Sequence, residues 1–481
     1  MRAGKLWLCS GLIFAATPAL ADDLRGALTS AYQTNPTLAA ARANQRATDE
    51  GVPIARAAGL PSLSGTATMT DFLRPTPVGT AAPDRAVDVQ ANLSLPIYSG
   101  GAVKNSVRAA ETRIKAGQAD LRGSESGLFS QVVAAYLDVI SNEAIVGLGS
   151  HNVEVLETNL KSTRDRYEIG DLTRTDVAQS QSRLAVARSN LRIQQANLAS
   201  AREKYIQLVG TPPVALEPPP PLPGMPTEVD AAVQSALDDN PDLIAARQRR
   251  TAAGFDTNAA GAGRLPKISL FSGVDYTDYL GTLAGVGIPA NLLTQKSTSG
   301  TAGVRATIPI FSGGLPAAQQ RQASERESAA MEQEIATERA VIAAVRSAWS
   351  QWQAANEVIG SNQQAVDAAA LSLEGVQAEN SVGNRTILDI LNAEQELLNA
   401  QTNLVTARRN AYVAGFNLLA AMGKAEARDL GLEGGALYDP MANYNRVHGK
   451  VFDWDLDPKP KAKATRTVDT PVQNGSIPPS K

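Results

Sequence analysis

The chain has 481 residues, with 45 Lys and Arg against 48 Asp and Glu, for a formal net charge of −3. This balance argues against a surface built to bind a polyanion, so we expect no nucleic-acid partner. Aromatic residues make up only 5% of the chain and alanine is abundant, which favours long, closely packed helices over one thick globular core.

Residues 1–21 have the features of a secretory signal peptide. Arg2 and Lys5 precede an apolar run at 6–16, and Ala19-Leu20-Ala21 forms an A-x-A cleavage site. The single cysteine, Cys9, lies inside this signal, so we expect a mature chain with neither disulfide nor lipid anchor. Beyond the signal we find no apolar run of membrane-spanning length and expect no membrane helix. An exported chain of this kind is either soluble in the periplasm or crosses a membrane as strands.

The chain contains two copies of one unit. Asn35-Pro36 matches Asn240-Pro241 at a spacing of 205 (240 − 35), and LPIYSGG at Leu95 matches IPIFSGG at Ile308 at a spacing of 213 (308 − 95). The eight extra residues belong to the second copy, near 281–299, where added loop length costs little. An internal repeat takes precedence over the usual relation between length and domain number.

Each repeat is predicted to be a β-hairpin followed by a long helical hairpin. In residues 87–97 every odd position is apolar and most positions between are polar, which indicates a strand with two different faces. The predicted divisions are a signal peptide at 1–21, a first repeat at 22–210, a Pro-rich linker at 211–226, a second repeat at 227–423, and a C-terminal segment at 424–481 whose tail is disordered from about residue 457. The predicted strands are 62–73, 86–97, 267–280 and 300–311, and the helical hairpins are 101–209 and 315–423.

The helical hairpins reverse at Gly170 and Gly383, because glycine adopts the left-handed conformations that a tight reversal needs. After Gly383 apolar residues recur every seventh position, as at Ile390 and Leu397, which calls for neighbouring helices that supercoil with this one. These helices form either the wall of a cylinder or an antiparallel coiled coil around a solid core.

Each repeat supplies two strands of about ten residues, the length that a tilted strand needs to cross a bilayer. Four strands cannot close a barrel, and open edges in lipid leave backbone groups without hydrogen bonds. Several chains must then share one barrel. The alternative is a four-stranded soluble sheet with one face covered by helices, although these helices are far too long to cap so small a sheet.

The twin Asn-Pro helices, the LPIYSGG and IPIFSGG junctions, and the tip motifs IGDLTRTD and VGNRTILD resemble the TolC family of outer-membrane efflux and secretion channels. The resemblance covers nearly the whole mature chain to about Gly423. It implies a mainly α fold with a β membrane part: a homotrimer with a twelve-stranded β-barrel in the outer membrane, surrounded by lipid and continuous with a periplasmic α-helical barrel. It also implies a passive channel for small molecules, proteins or both, in tripartite efflux or type I secretion. A periplasmic adaptor and an inner-membrane pump of ABC, RND or MFS type would dock on it.

The resemblance also implies roles for particular residues. Asp389 falls on an acidic ring that narrows the periplasmic entrance, whereas the family's second acidic ring falls on Asn392, so we expect a less cation-selective entrance here. Arg385 matches a basic residue that holds neighbouring hairpins closed, and Thr175 and Asp176 match its partners in this latch.

Further positions follow from the same resemblance. The family's tyrosine in the latch corresponds to Asn380, which puts one closing contact in doubt. Gly170 and Gly383 match the tips on which adaptor hairpins sit. Four prolines mark the junctions between barrel and helices: Pro61, Pro96, Pro266 and Pro309.

Each role has a simpler alternative. Asp176 and Asp389 lie in first helical turns, where a carboxylate is favourable whatever the function, and the alternative for Arg385 is a solvated surface arginine. The only histidines, His151 and His448, have no nucleophile or metal-ligand spacing near them, so we expect no enzyme, no cofactor and no metal site. The remaining rival is a soluble periplasmic coiled-coil adaptor or scaffold, which would need no lipid-facing strands.

Overall fold

The computed structural model describes residues 23–73, 81–432 and 437–477; the predicted signal peptide lies outside the described residues. The two repeats contain the same order of elements, except that the single helix α7 of the second takes the place of α2 and α3 of the first. The first comprises α1 (Leu24–Thr34), α2 (Pro36–Asp49), α3 (Gly51–Ala57), β1 (Ser62–Asp71), β2 (Ala81–Ala82), β3 (Arg85–Tyr98), α4 (Ala102–Glu168) and α5 (Arg174–Val209). The second comprises α6 (Val229–Asp239), α7 (Pro241–Gly261), β4 (Lys267–Asp278), β5 (Ala284–Gly285), β6 (Lys296–Thr307), α8 (Leu315–Ser381) and α9 (Ile387–Ala421), and the short helix α10 (Pro440–Val447) follows.

The Asn-Pro motifs start the second helix of each repeat, α2 and α7. The Asn35 side chain caps α2 by accepting two backbone N–H bonds, and its amide donates to the carbonyl of Leu208 at 3.0 Å. Asn240 caps α7 in the same way and donates to the carbonyl of Ala421 at 2.9 Å. Each asparagine therefore starts one helix and ties it to the end of the returning helix of the same repeat.

The strands form one antiparallel sheet in the order β1-β3-β4-β6, so β1 and β6 are its edges. The register brings residues of like polarity together across the strands. One face carries the row Leu95, Leu270 and Val304, and the other carries the row Thr66, Gln90, Asp275 and Ser299. The apolar face is not covered by the helices, since Leu63 is 75% exposed and Val304 is 65% exposed.

The last strand ends earlier than the sequence indicates. The prediction of a strand at 300–311 is wrong at its end, because β6 stops at Thr307. Its partner β4 begins at Lys267, directly opposite Thr307, so the chain beyond has nothing to pair with. The β3 strand continues to Tyr98 because its register with β4 shifts between Pro96 and Tyr98.

Both long first helices are continuous over 67 residues, which corresponds to roughly 100 Å. Contrary to expectation, α4 contains a window apolar enough to cross a membrane, with a mean hydropathy of 1.4. Half of that window is buried within the fold, and the middle of α4 supplies Phe129 and Tyr136 to the largest core cluster. The apolarity of α4 is therefore that of a core helix.

The largest core cluster lies where α1, the middle of α4 and the ends of α5 and α9 meet. The Pro-rich linker packs against this cluster, and two tyrosine hydroxyls donate hydrogen bonds to its backbone carbonyls. Tyr136 Oη donates to the carbonyl of Glu217 at 2.7 Å, and Tyr412 Oη donates to that of Pro220 at 2.9 Å.

The C-terminal segment packs on the first repeat. Asn443 of α10 donates to Asp49 of α2 at 2.8 Å. The described part of the tail has no helix or strand, and its disorder remains a prediction. Arg202 of α5 donates to the carbonyls of Asn474 and Ser476 at 2.7 and 3.1 Å, so the end of the described tail contacts α5.

We predict that Asn240→Ala lowers the free energy of unfolding by about 1–3 kcal/mol, because it removes both a helix cap and the hydrogen bond to Ala421. The measurement is the unfolding midpoint by circular dichroism in detergent. Asn240→Asp keeps the oxygen that caps α7 but loses the amide that donates to Ala421. Its unfolding midpoint therefore separates the contribution of the cap from that of the hydrogen bond to Ala421. Asn35→Ala makes the same change in the first repeat. An unchanged midpoint in Asn240→Ala would contradict the prediction.

Candidate functional site

The tips of the two helical hairpins are built alike. Gly170 and Gly383 both have φ of +85°, and no described atom lies within 4 Å of where a Cβ would stand on either. The reversal therefore requires glycine for its backbone conformation rather than for space. Side chains on other residues would be strained here although they would meet open solvent.

A threonine and an aspartate form a capping box after each reversal. Thr386 caps α9, and its backbone N–H donates to the Asp389 carboxylate at 2.9 Å while Asp389 N donates to the threonine hydroxyl at 3.3 Å. Thr173 and Asp176 repeat this geometry at the start of α5, with the same two distances. Each box satisfies two backbone donors that the first turn of a helix leaves unpaired.

The capping boxes change the acidity of both carboxyls. The backbone N–H of Thr386, followed by its hydroxyl, holds the pKa of Asp389 below its usual range. The hydroxyl of Thr173, followed by its backbone N–H, lowers the pKa of Asp176 in the same way. Hydrogen bonds to the charged form stabilise it, so both groups carry full negative charge at neutral pH.

Arg385 is not joined to its predicted partners within the chain. Its Nε donates to Glu379 at 2.6 Å, on the helix that enters the same tip, and the structure shows no hydrogen bond or ion pair between Arg385 and Thr175 or Asp176. Thr175 is exposed. Asn380, the position of the family's tyrosine, donates to the carbonyl of Arg385 at 2.7 Å and so holds the tip backbone.

Asn392 joins the two hairpins. Its Oδ1 accepts from Arg183 Nη2 of α5 at 2.8 Å, close to where α5 and α9 approach each other above the tips. This contact brings a guanidinium to the position where the family's pattern has an acidic ring. Sequence reasoning missed Arg183, because nothing in its local pattern marks it.

A second link lies beside the first on α9. Asn159 of α4 donates to both oxygens of Glu394, at 2.8 and 3.1 Å. Glu394 is only 8% exposed, and burial raises its pKa while the bond from Asn159 opposes that shift. Glu394 is a polar residue between two apolar columns of α9, and this pattern in the sequence could have identified it as a buried contact residue.

The junction prolines occupy three kinds of position. Pro61 and Pro266 directly precede β1 and β4, where a missing N–H costs no ladder bond. Pro96 lies in β3 beside the register shift, and Pro309 follows the end of β6.

Comparisons with known proteins agree on one family. The model of the outer membrane efflux protein family matches residues 27–211 and 232–424, and thus both repeats. The chain is 34% identical over 446 residues to the outer membrane efflux protein BepC of Brucella suis, covering 92% of this chain and 94% of that protein. The chain belongs to the outer membrane efflux protein family.

The chain is also similar to a further protein in sequence and to a solved structure in fold. The outer membrane protein TolC of Escherichia coli is 26% identical over 320 residues, covering 66% of this chain and 65% of that protein. The crystal structure of the CmeC outer membrane channel of Campylobacter jejuni superposes with a TM-score of 0.74 at 16% identity, covering 89% of each chain.

Membership in the outer membrane efflux protein family confirms the resemblance, the mainly helical two-repeat fold with a β part, and the location in the outer membrane with the helices in the periplasm. The roles expected for individual tip residues remain predictions.

We predict that Thr386→Ala speeds hydrogen exchange in the first turn of α9, because it removes one half of the capping box. Asp389 has a lowered pKa when folded, so its contribution to stability is present above its unfolded pKa and is lost as pH falls through the folded value. In the unmodified protein that loss occurs below about pH 4. In Thr386→Ala the folded pKa of Asp389 lies closer to the unfolded value, so its contribution to stability is smaller and is completely lost at a higher pH.

Exchange measured by mass spectrometry, corrected for the intrinsic effect of pH, tests this prediction. Thr173→Ala is the matched control, because it should loosen only the first turn of α5. Equal protection of α9 in Thr386→Ala and the unmodified protein would show that the box does not stabilise the tip.

Proposed function

We propose that three copies of this chain form a channel that conducts solutes from the periplasm across the outer membrane. The observation that carries the proposal is the four-stranded sheet, which has one exposed apolar face, one polar face and two open edges. An apolar face suits lipid, and a polar face suits a water-filled lumen.

The open edges argue for several chains. Both β1 and β6 present unpaired backbone groups within the chain, and such groups cannot remain unpaired in lipid. Pairing β6 of one copy with β1 of the next closes the sheet. Three copies of four strands give twelve, in keeping with the trimer expected from the family resemblance.

The helices also leave a surface for other copies. Of two helices of equal length, α4 buries 22 residues, whereas α8 buries three, at Val341, Val345 and Trp349. Val358 and Leu371 of α8 are 47% and 70% exposed. A continuous helix of this length with uncovered apolar residues needs a partner along its side, and a neighbouring copy in a cylinder wall supplies one.

The tips form the entrance to this channel in the proposal. Asp389 supplies a negative charge, and Arg183 supplies a positive charge held by Asn392 close above it. Three copies would alternate both signs around the axis, and such an entrance would prefer cations only weakly. The exposed turns at Gly170 and Gly383 are the proposed seat of a periplasmic adaptor, which would link the channel to an inner-membrane pump of ABC, RND or MFS type.

The rival of a soluble adaptor or scaffold is disfavoured by the uncovered apolar face of the sheet. A soluble sheet of this kind would cover that face with helices, and here Leu63, Val274 and Val304 are each more than half exposed. The family is one of channel proteins rather than enzymes. Small molecules, proteins or both are the proposed cargo, by efflux or type I secretion.

We predict a small, weakly cation-preferring conductance for the mature protein in planar bilayers. Asp389→Asn should reduce the preference for cations, whereas Arg183→Gln should increase it, because each removes one sign of charge from the entrance. The reversal potential in a salt gradient measures both changes, and high salt should shrink both by screening. Protein that does not conduct and stays soluble without detergent would overturn the channel and favour the scaffold.

We predict that Arg385→Ala raises the single-channel conductance if Arg385 latches neighbouring hairpins. Glu379→Ala is the matched control, since it breaks the ion pair within the chain and leaves the arginine in place. An increase in Arg385→Ala alone supports the latch. Equal increases in both variants assign the effect to the ion pair within the tip, and no change in Arg385→Ala contradicts the latch.

A further inference from the structure

The helix α10 runs towards the foot of the sheet, meaning the end of the strands nearest the helices. Near its start, Met441 Sδ accepts from Gln118 Nε2 at 3.0 Å, and Gln118 lies roughly 24 Å along α4 from the strand that precedes it. Just after its end, the His448 carbonyl accepts from Arg56 Nη1 at 2.8 Å, and Arg56 lies only six residues before β1 (62 − 56). The chain that follows α10 therefore emerges close to the foot of the sheet.

That chain forms a loop at residues 450–457, here called the aromatic loop, with the sequence KVFDWDLD. Four large apolar side chains are uncovered in it: Val451 is 66% exposed, Phe452 is 72% exposed, Trp454 is 82% exposed and Leu456 is 79% exposed. Single exposed apolar residues are ordinary on a protein surface, but four within six residues form a patch that indicates an interaction.

Ion pairs close the aromatic loop and neutralise most of its acids. Arg446 of α10 binds both carboxylate oxygens of Asp457 at 2.7 Å, and this hydrogen bonding holds the pKa of Asp457 below its usual range. Lys450 pairs with Asp455 at 3.0 Å. Asp453 is the acid of the loop for which the described residues supply no ion pair. The loop is thus held in shape with little net charge beside its apolar side chains.

The apolar face of the sheet reaches down to the same level. At the foot, Leu63 is 75% exposed, Ile97 is 58% exposed and Tyr98 is 47% exposed. In the proposed channel this border lies where hydrocarbon meets the periplasmic headgroups. Aromatic side chains, and tryptophan above all, favour that zone because they join an apolar body to a polar edge.

We propose that the aromatic loop inserts Phe452, Trp454 and Leu456 into the headgroup zone of the phospholipid leaflet at the foot of the barrel. The proposal rests on the channel function proposed above. The loop would give each copy an anchor outside the barrel and would fix the depth at which the barrel sits in the bilayer.

Tryptophan fluorescence tests the proposal. The sequence has four tryptophans, at 7, 349, 352 and 454, and the first lies in the predicted signal peptide. A variant with Trp349→Phe and Trp352→Phe keeps Trp454 alone in the mature chain. It is reconstituted in phosphatidylcholine vesicles with and without brominated acyl chains, because bromine quenches only nearby fluorophores. We expect loss of Trp454 emission in the brominated vesicles and a shift to shorter wavelength on reconstitution.

Trp454→Phe is the matched control. It keeps Trp349 and Trp352, which lie roughly 50 Å along α8 from its start near the sheet, so bromine should leave their emission unchanged. Short-wavelength emission of Trp454 without bromine quenching would mean that a second copy covers the loop, and long-wavelength emission quenched by acrylamide would mean that water surrounds it. Either result overturns the lipid contact.

Conductance of the same samples tests the channel separately. Conducting protein with unquenched Trp454 would overturn the lipid contact alone. Protein that neither conducts nor floats with the vesicles would overturn both proposals.

Discussion

The hydrogen-bonding requirement of backbone groups in lipid is the constraint on which the rest of this structure depends. A sheet of four strands with edges at β1 and β6 satisfies its interior strands and leaves two rows of donors and acceptors open. In the proposed channel, each strand pair continues into a long helical hairpin, so closing the sheet with further copies would also arrange the hairpins side by side. The geometry of the helical part would then follow from closure of the strands, and the apolar columns of α8 and α9 would need only to fit neighbours that the sheet had already positioned.

The two repeats have nearly the same elements and different surroundings. The linker contacts both repeats, through Tyr136 of α4 and Tyr412 of α9, whereas α10 and the tail pack on the first repeat, and α4 is the main core helix. The second repeat contributes α8, which has little cover within the chain. The first copy thus supplies most of the interior of the subunit, and the second leaves α8 uncovered, which the proposed channel would use for assembly. The segment after the second copy adds to this asymmetry, because α10 and the tail pack on the first repeat.

Features that depend on a few neighbouring residues could be predicted from the sequence, and features that depend on packing could not. A few neighbouring residues determine the helix caps at Asn35 and Asn240 and the turns at Gly170 and Gly383. The structure has these caps and turns at the positions of the sequence motifs. The end of β6 was misjudged because the register of its partner decides it. The pairs Arg183–Asn392 and Asn159–Glu394 join residues more than 200 positions apart, so no spacing within one helix reveals them.

In the proposed trimer, two effects of opposite sign would act on the pKa of Asp389. Three carboxylates around an axis would raise each other's pKa, whereas the hydrogen bonds from Thr386 lower it. Repulsion between neighbouring carboxylates favours their protonation, and the hydrogen bonds of the capping box oppose it. A capped carboxylate can therefore remain charged where an uncapped one would take up a proton, so the capping box is compatible with a charged entrance. Glu394, five residues further along α9, shows the contrary case, since burial favours its neutral form and it joins hairpins instead of facing solvent. The same helix therefore has a charged acid in its exposed first turn and a buried, hydrogen-bonded acid in its third turn, and the environment of each residue, rather than its type, sets its role.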